Sequence, residues 1–157
     1  MAKFSVDGLN GLLGDLTSLA YATDSLVEEA LDAGADVLVR AQQAEIKSQW
    51  SGPYSEGISA KCIKKGKVTK TKDGHKILVS PKGTRRRGKQ TVRNGEIAFL
   101  NEYGSSGKGR TSSHKKRSDP KKILPRPAIR IANEKAENSV IQAAEKVLDS
   151  HLNKHGL

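Results

Sequence analysis

The stretch SLVEEALDAGADVLVRAQQAEIK (Ser25–Lys47) decides the fold. Leu26, Ala30, Ala33, Val37, Ala41 and Ala44 recur at three- and four-residue intervals, with Val27, Leu31 and Leu38 beside them. That is the period of one helical face. Ser25 with Glu28 three residues later is a capping box, and Glu28, Glu29 and Asp32 put negative charge in the first turns, where the helix dipole favours it. Small residues, Gly34 among them, let another element approach closely. The spacing predicts a helix over 25–47.

Upstream, Phe4 and Val6 suit a short strand or an extended lead-in, and Leu9, Leu12, Leu13, Leu16 and Leu19 form a second helical stripe. Downstream, Gly52-Pro53 within WSGPY (Trp50–Tyr54) breaks the long helix. Ile58, Ala60 and Cys62 then alternate with polar or opposite-facing neighbours, a strand pattern that Val68–Lys72 continues past Gly66. Asp73-Gly74 is a hairpin turn signal, with Ile77–Val79 as the return strand. Residues 81–90 read as a basic, glycine-bearing loop. Thr91–Arg93, Asn94-Gly95 and Glu96–Leu100 suggest a second hairpin, while Ile97–Glu102 fits a short helix capped by Gly104 equally well. Residues 104–122 contain no apolar side chain, so they have nothing with which to offset the cost of ordering. Pro127 suits the start of a last helix, whose stripe is Ile129, Ala132, Ala136, Val140, Ala143 and Val147, running to about Leu152. The expected architecture is a single α+β domain over 1–157: a small antiparallel β-sheet packed by a long N-terminal helical segment and a C-terminal helix, with a basic flexible loop at about 104–122.

Charge is concentrated. Lys61–Lys122 holds twenty Lys/Arg and four acidic residues, a net +16, against −6 for residues 1–60 and +1 for 123–157. A basic centre between helical ends suits docking onto nucleic acid, an acidic protein surface, or the acidic ends of sibling copies. Apolar content is 35% and aromatics 4%, so the core is thin and is expected to be completed at subunit contacts. Lone Cys62 excludes an internal disulfide and a zinc cluster and fits a reducing compartment. The N-terminus lacks the apolar run and cleavage site of a signal peptide, and no window approaches the ~18 apolar residues of a membrane span. A soluble chain made in a cytoplasm, with no membrane partner, is expected.

No convergent catalytic set can be named, so an enzyme is not expected, nor is any cofactor or metal. GTRRRGKQ (Gly83–Gln90) nearly matches a phosphate loop, but Gln90 stands where a magnesium-binding hydroxyl is required and a strand pattern follows, not a helix. A basic hairpin tip is the better reading. His151 and His155 lie four apart but lack a third ligand, and Cys62 reads as a small apolar side chain on a strand. Arg85, Arg86, Arg87, Lys89 and Arg93 form one basic cluster; Lys108, Arg110, Lys115, Lys116, Arg117, Lys121 and Lys122 form another. Neither interleaves aromatics, so any nucleic acid would be held by its phosphates and not read.

Four stretches resemble the head–tail joining family of siphophages, the tail-completion or minor tail proteins of the phage neck. They are Asp7-Gly8-Leu9 leading into helices, the Ala/Leu-rich Glu28–Lys47 followed by a degenerate turn at Ser51–Ser59, NEYG (Asn101–Gly104), and LPRPAIRIA (Leu124–Ala132). Ile129-Arg130 stands where the family carries an aromatic residue and a second proline. The resemblance implies a structural component of the virion neck, made in the bacterial host's cytoplasm and assembled as a ring homo-oligomer, a hexamer, through whose lumen DNA passes. The partners it implies are tail-tube, tail-terminator or head-connector proteins, with non-specific contact to phage DNA. Glu102, Tyr103, Gly104, Arg126 and Pro127 become the candidate subunit contacts, and the two basic clusters face DNA or acidic neighbouring rings. The acidic N-terminal helices are a suitable receiver for a neighbour's basic loop. The alternative from composition alone is a basic cytoplasmic nucleic-acid-binding protein that grips the phosphate backbone.

Overall fold

The computed structural model describes residues 24–50, 58–105 and 123–154. The stripe at Leu9–Leu19, the lead-in at Phe4 and Val6, the breaker at Gly52-Pro53, His155, and the second basic cluster with Lys108, Arg110, Lys115, Lys116 and Arg117 lie outside those residues. The fold is mixed α+β, as the sequence predicts. Helix α1 spans Asp24–Gln49, a short α2 spans Ile58–Lys61, α3 spans Asn94–Tyr103, and α4 spans Ala128–Lys154. Six short strands lie between α2 and α3: β1 (Ile63–Lys65), β2 (Thr69–Thr71), β3 (Gly74–Lys76), β4 (Val79–Pro81), β5 (Thr84–Arg87) and β6 (Gln90–Arg93).

These strands form three antiparallel two-stranded ladders, not one continuous sheet. In β1·β4, Ile63 faces Pro81 and Lys65 faces Val79; in β2·β3, Thr69 faces Lys76 and Thr71 faces Gly74. Between the ladders three residues, 66–68, oppose two, 77 and 78. Ile63 to Pro81 is therefore one long hairpin carrying a one-residue bulge, bridged where the Gly66 N–H donates to the Leu78 carbonyl at 2.7 Å. Its tip is Lys72-Asp73, one residue earlier than the turn expected, and Gly74 opens the return strand. The return strand is thus Gly74–Lys76, and Val79 belongs to the next ladder.

Three local expectations need correction. Ile58–Lys61 is a helical turn and not a strand; Ala60 and Ile63, three apart, are both buried, and Cys62 is buried in the turn between them. Thr84–Arg87 is a strand, so the basic stretch is half of a hairpin whose partner is Gln90–Arg93. Asn94-Gly95 opens α3 instead of turning a hairpin, which decides residues 96–103 in favour of helix.

Helices α1 and α4 run antiparallel: Glu45 meets Lys135, Gln42 bonds Asn133, and Gly34 lies against Val140. The buried face of α4 is Ala128, Ala132, Ala136, Val140, Ala144 and Leu148, a strict four-residue repeat; the expected Ile129, Ala143 and Val147 are half-buried beside it. On α1 the buried face includes Val27, Leu31, Ala35, Leu38, Gln42 and Ile46, so it is rotated from the expected one; Ala33, Val37 and Ala41 are half-buried and Ala44 is exposed. Ser25 already lies within α1, so it does not stand at a cap position. One cluster joins Leu26, Leu31 and Leu38 to Val140 and Leu148, with Val68, Ile77 and Val79 of the long hairpin packed against it. A second joins Ile46, Trp50, Ala60, Ile63, Ala98 and Ala128 where α1 ends and α4 begins.

The long hairpin is also clamped to α1 by charge. The Lys65 ammonium lies 2.5 Å from Asp32 and 2.8 Å from Asp36, one helical turn apart, and Lys70 reaches Asp24 at 2.6 Å. Burial pushes the Lys65 pKa down, and its hydrogen bonds to the two aspartates more than reverse that, leaving it above its usual value. A raised lysine pKa adds stability that is complete below the unfolded-chain value and is lost as pH climbs through the folded one. The clamp therefore holds across neutral pH and releases only in strong alkali.

A Cβ on Gly34 would sit 3.1 Å from the Val140 side chain, tighter than ordinary packing. Gly34→Leu forces the helices apart and should lower the free energy of unfolding by about 2 kcal/mol, read from urea denaturation followed by circular dichroism.

Candidate functional site

Helix α3 begins at Asn94, whose buried side chain joins three neighbours. Its amide donates to the Lys82 carbonyl at 2.8 Å, its carbonyl oxygen accepts from Arg85 Nε at 2.9 Å, and its backbone N–H donates to Gly83 at 3.0 Å. Arg85 also reaches the Ser59 hydroxyl at 3.1 Å. The β5·β6 hairpin is thereby fixed to the start of α3. Its two-residue loop is Gly88-Lys89, with Gly88 at φ +58° and Lys89 negative, the sign pattern of a type II′ turn. Register puts Arg86 and Arg93 on one face of this hairpin, and both are exposed, as is Lys89. Arg87 stands on the other face at the loop end. Of the first basic cluster, Arg85 is therefore tied into the fold, while Arg86, Lys89 and Arg93 are available to a partner.

At its far end α3 supplies the cap of another helix. Glu102 is buried, at 7% exposure, and its carboxylate accepts the N–H groups of Ile129 at 3.0 Å and Arg130 at 2.8 Å. Those are first-turn donors of α4, which have no partner inside their own helix. Pro127 immediately precedes α4 and has no side-chain acceptor to offer, so the cap comes from 27 residues away. An acidic group there also meets the positive end of the helix dipole. Gly104 follows at φ +75°, ψ −174°, a conformation reserved for glycine, and a Cβ on it would stand 2.6 Å from the Ile123 carbonyl. Ser105 and Ile123 then exchange two backbone hydrogen bonds, at 2.9 and 3.0 Å.

Arg126 closes the arrangement. Its N–H donates to the Asn101 carbonyl, its guanidinium reaches the Asn101 side chain at 2.9 Å and the Gln49 carbonyl at 3.3 Å, and its own carbonyl accepts the Trp50 indole N–H at 2.8 Å. The candidate contact residues thus separate by role. Glu102, Gly104 and Arg126 hold the chain to itself, Pro127 positions the start of α4, and only Tyr103 turns outward.

Tyr103 does not stand alone. It is 61% exposed and leans on Phe99, 56% exposed, with ring centroids 4.9 Å apart. Leu100 lies on the same helix, and Leu124, at 67%, on the strand-like lead into α4; both are exposed. An apolar face built on α3 therefore points at solvent, with Asn94, Ala98 and Glu102 anchoring the opposite side of that helix. Sequence reasoning missed Phe99, Leu100 and Leu124. The available signal was the four-residue step Phe99–Tyr103, which is one helical face once Gly104 is taken as the stop.

Among the described residues no group of His, Cys, Asp and Glu is arranged to hold a metal ion. No described helix is long and apolar enough to cross a membrane.

Glu102→Ala orphans two first-turn N–H groups and should lower stability by about 2 kcal/mol, whereas Tyr103→Ala should change it by less than about 0.5 kcal/mol. Gly104→Ala should cost about 3 kcal/mol, since the backbone must leave a glycine-only region or the Ile123 carbonyl must move. Urea midpoints of the three variants against the parent chain check the order. No protein family, curated protein or solved structure matches this chain.

Proposed function

We propose that the protein is a structural component of a phage neck, a tail-completion or head–tail joining subunit that works as a ring through which DNA passes. The observation that carries this reading is the apolar face of Phe99, Leu100, Tyr103 and Leu124, held rigid from behind by Glu102 and Arg126 and left open to solvent. The resemblance of NEYG and LPRPAIRIA to the neck proteins places the same region at a subunit contact. The two motifs are bonded to each other within the chain, so an NEYG–LPRPAI unit behaves as one surface element.

Energetics favours a ring over a simple pair. Fully covering each of these side chains is worth about 1.5–3 kcal/mol. Association costs on the order of 4–15 kcal/mol of lost rigid-body freedom. One such contact is therefore weak. A closed ring gives every copy two contacts, and the closing contact is intramolecular, which makes a marginal interface sufficient. Arg86, Lys89 and Arg93 on the β5·β6 hairpin suit DNA in the lumen or an acidic face of a tail-tube, tail-terminator or head-connector protein. Asp24, Asp32 and Asp36 of α1 already pair with the chain's own Lys70 and Lys65, so α1 offers a neighbour's basic loop less free charge than its composition suggests.

Mass photometry across protein concentration and salt, with and without duplex DNA, tests the reading. Rings that grow in with concentration, and DNA association that fades steeply with salt, are expected. Tyr103→Ala should shift the ring population to monomer while leaving helical circular dichroism unchanged. A monomer that binds nucleic acid tightly at physiological salt would overturn the reading in favour of a backbone-gripping nucleic-acid protein.

A further inference from the structure

Two apolar features of this chain belong to opposite ends of the α1·α4 pair. The face of Phe99, Leu100, Tyr103 and Leu124 sits where α1 finishes, since Ala98 of α3 packs with Ile46 and Trp50. At the other end α1 begins at Asp24, and before it come Leu9, Leu12, Leu13, Leu16 and Leu19. Their spacing is that of an amphipathic helix, whose stripe needs a cover.

Reach decides whether the two meet within one copy. From Asp24 to Ile46, α1 rises about 33 Å at 1.5 Å per residue. Only Ala20–Thr23 separate Leu19 from Asp24, and four extended residues span about 14 Å. A helical 9–19 segment adds about 15 Å. Pointed straight down α1, the tip of the stripe stops at about 29 Å and most of it lies far short of the face. The surface nearer the start of α1 offers little cover. One groove there is lined by Glu28, Asp32 and Asp36 and another by Lys146, Ser150 and His151, with few apolar groups between them.

We propose that the leucine stripe of residues 9–19 in one copy docks on the Phe99–Tyr103–Leu124 face of the next. This rests on the ring reading and names the surfaces that make the ring. Each copy gives at the α1 start and receives at the α1 finish, so the contact repeats in one direction until it closes. The mode is helix against apolar face, with anchors at three- and four-residue steps. Charge agrees: Arg126 and Arg130, exposed at the edge of the face, meet Asp7 and Asp15 of the arriving segment. A face-to-face pairing of two identical patches would leave both leucine stripes uncovered.

Complementation between full-length variants tests this. Leu12→Glu with Leu16→Glu disables the stripe, and Phe99→Ser with Tyr103→Ser disables the face. Each variant alone should be monomeric by analytical ultracentrifugation at concentrations where the parent chain forms rings, with circular dichroism close to the parent's. An equimolar mixture should give a one-to-one dimer and nothing larger, because only one competent junction remains. The milder Leu16→Ala should weaken assembly about tenfold, which guards against a folding defect in the glutamate variant. Rings that persist in the Leu12→Glu, Leu16→Glu variant, or a mixture that stays monomeric, would overturn the proposal while leaving the ring reading standing. A parent chain that is monomeric at every concentration would remove both.

Discussion

The carboxylate of Glu102 couples the two halves of the chain. Helix α4 starts after a proline and brings no capping side chain of its own, so its first free N–H groups depend on a group delivered by α3. Delivery requires the end of α3 to lie against residues 123–127, and Gly104 permits that approach by taking a backbone conformation closed to other residues. Arg126 and Trp50 then lock the end of α1 to the same junction. Three helices meet at one polar knot, and the small cluster around Ile46 and Ala128 seals it from below.

That knot explains how a chain with so lean a core presents a rigid surface. Much of its interior is alanine, and its largest fully buried side chains include Ile46 and Ile63. Rigidity at α3 comes from hydrogen bonds at both ends, Asn94 at the start and Glu102 at the finish, which frees the outer positions of the helix to carry Phe99 and Tyr103. The basic centre is likewise divided. Lys65 and Lys70 neutralise the chain's own α1, Arg85 braces a hairpin, and Arg86, Lys89 and Arg93 remain at the surface.

Both long helices were legible because their apolar residues keep a helical period over more than twenty positions. Which side of α1 is buried was less legible, since a helix with alanine on nearly every face offers little contrast and a buried Gln42 sits where a hydrocarbon is expected. The strand at Thr84–Arg87 was hidden by three adjacent arginines, which mask alternation completely. Asn94-Gly95 spells a turn in isolation, and only the bonds of Asn94 to Lys82 and Arg85 make it a helix start. In the candidate site Tyr103 was legible from its motif. The structural duty of Glu102 was not, because it depends on a contact 27 residues away. Nor were Phe99 and Leu124, since a pattern that marks apolar side chains cannot say which of them the fold leaves uncovered.

The paired hydrogen bonds between Ser105 and Ile123 fasten the two ends of the intervening segment side by side on the body of the protein. Once the ends of a loop are pinned, its span enters the folding free energy only logarithmically, at about 0.6 kcal/mol for each doubling. The polypeptide between those two residues is thus insulated from the architecture that bears it. It can lengthen, shorten or change its charge during evolution, or accept an inserted label in the laboratory, while the helices behind it keep their places.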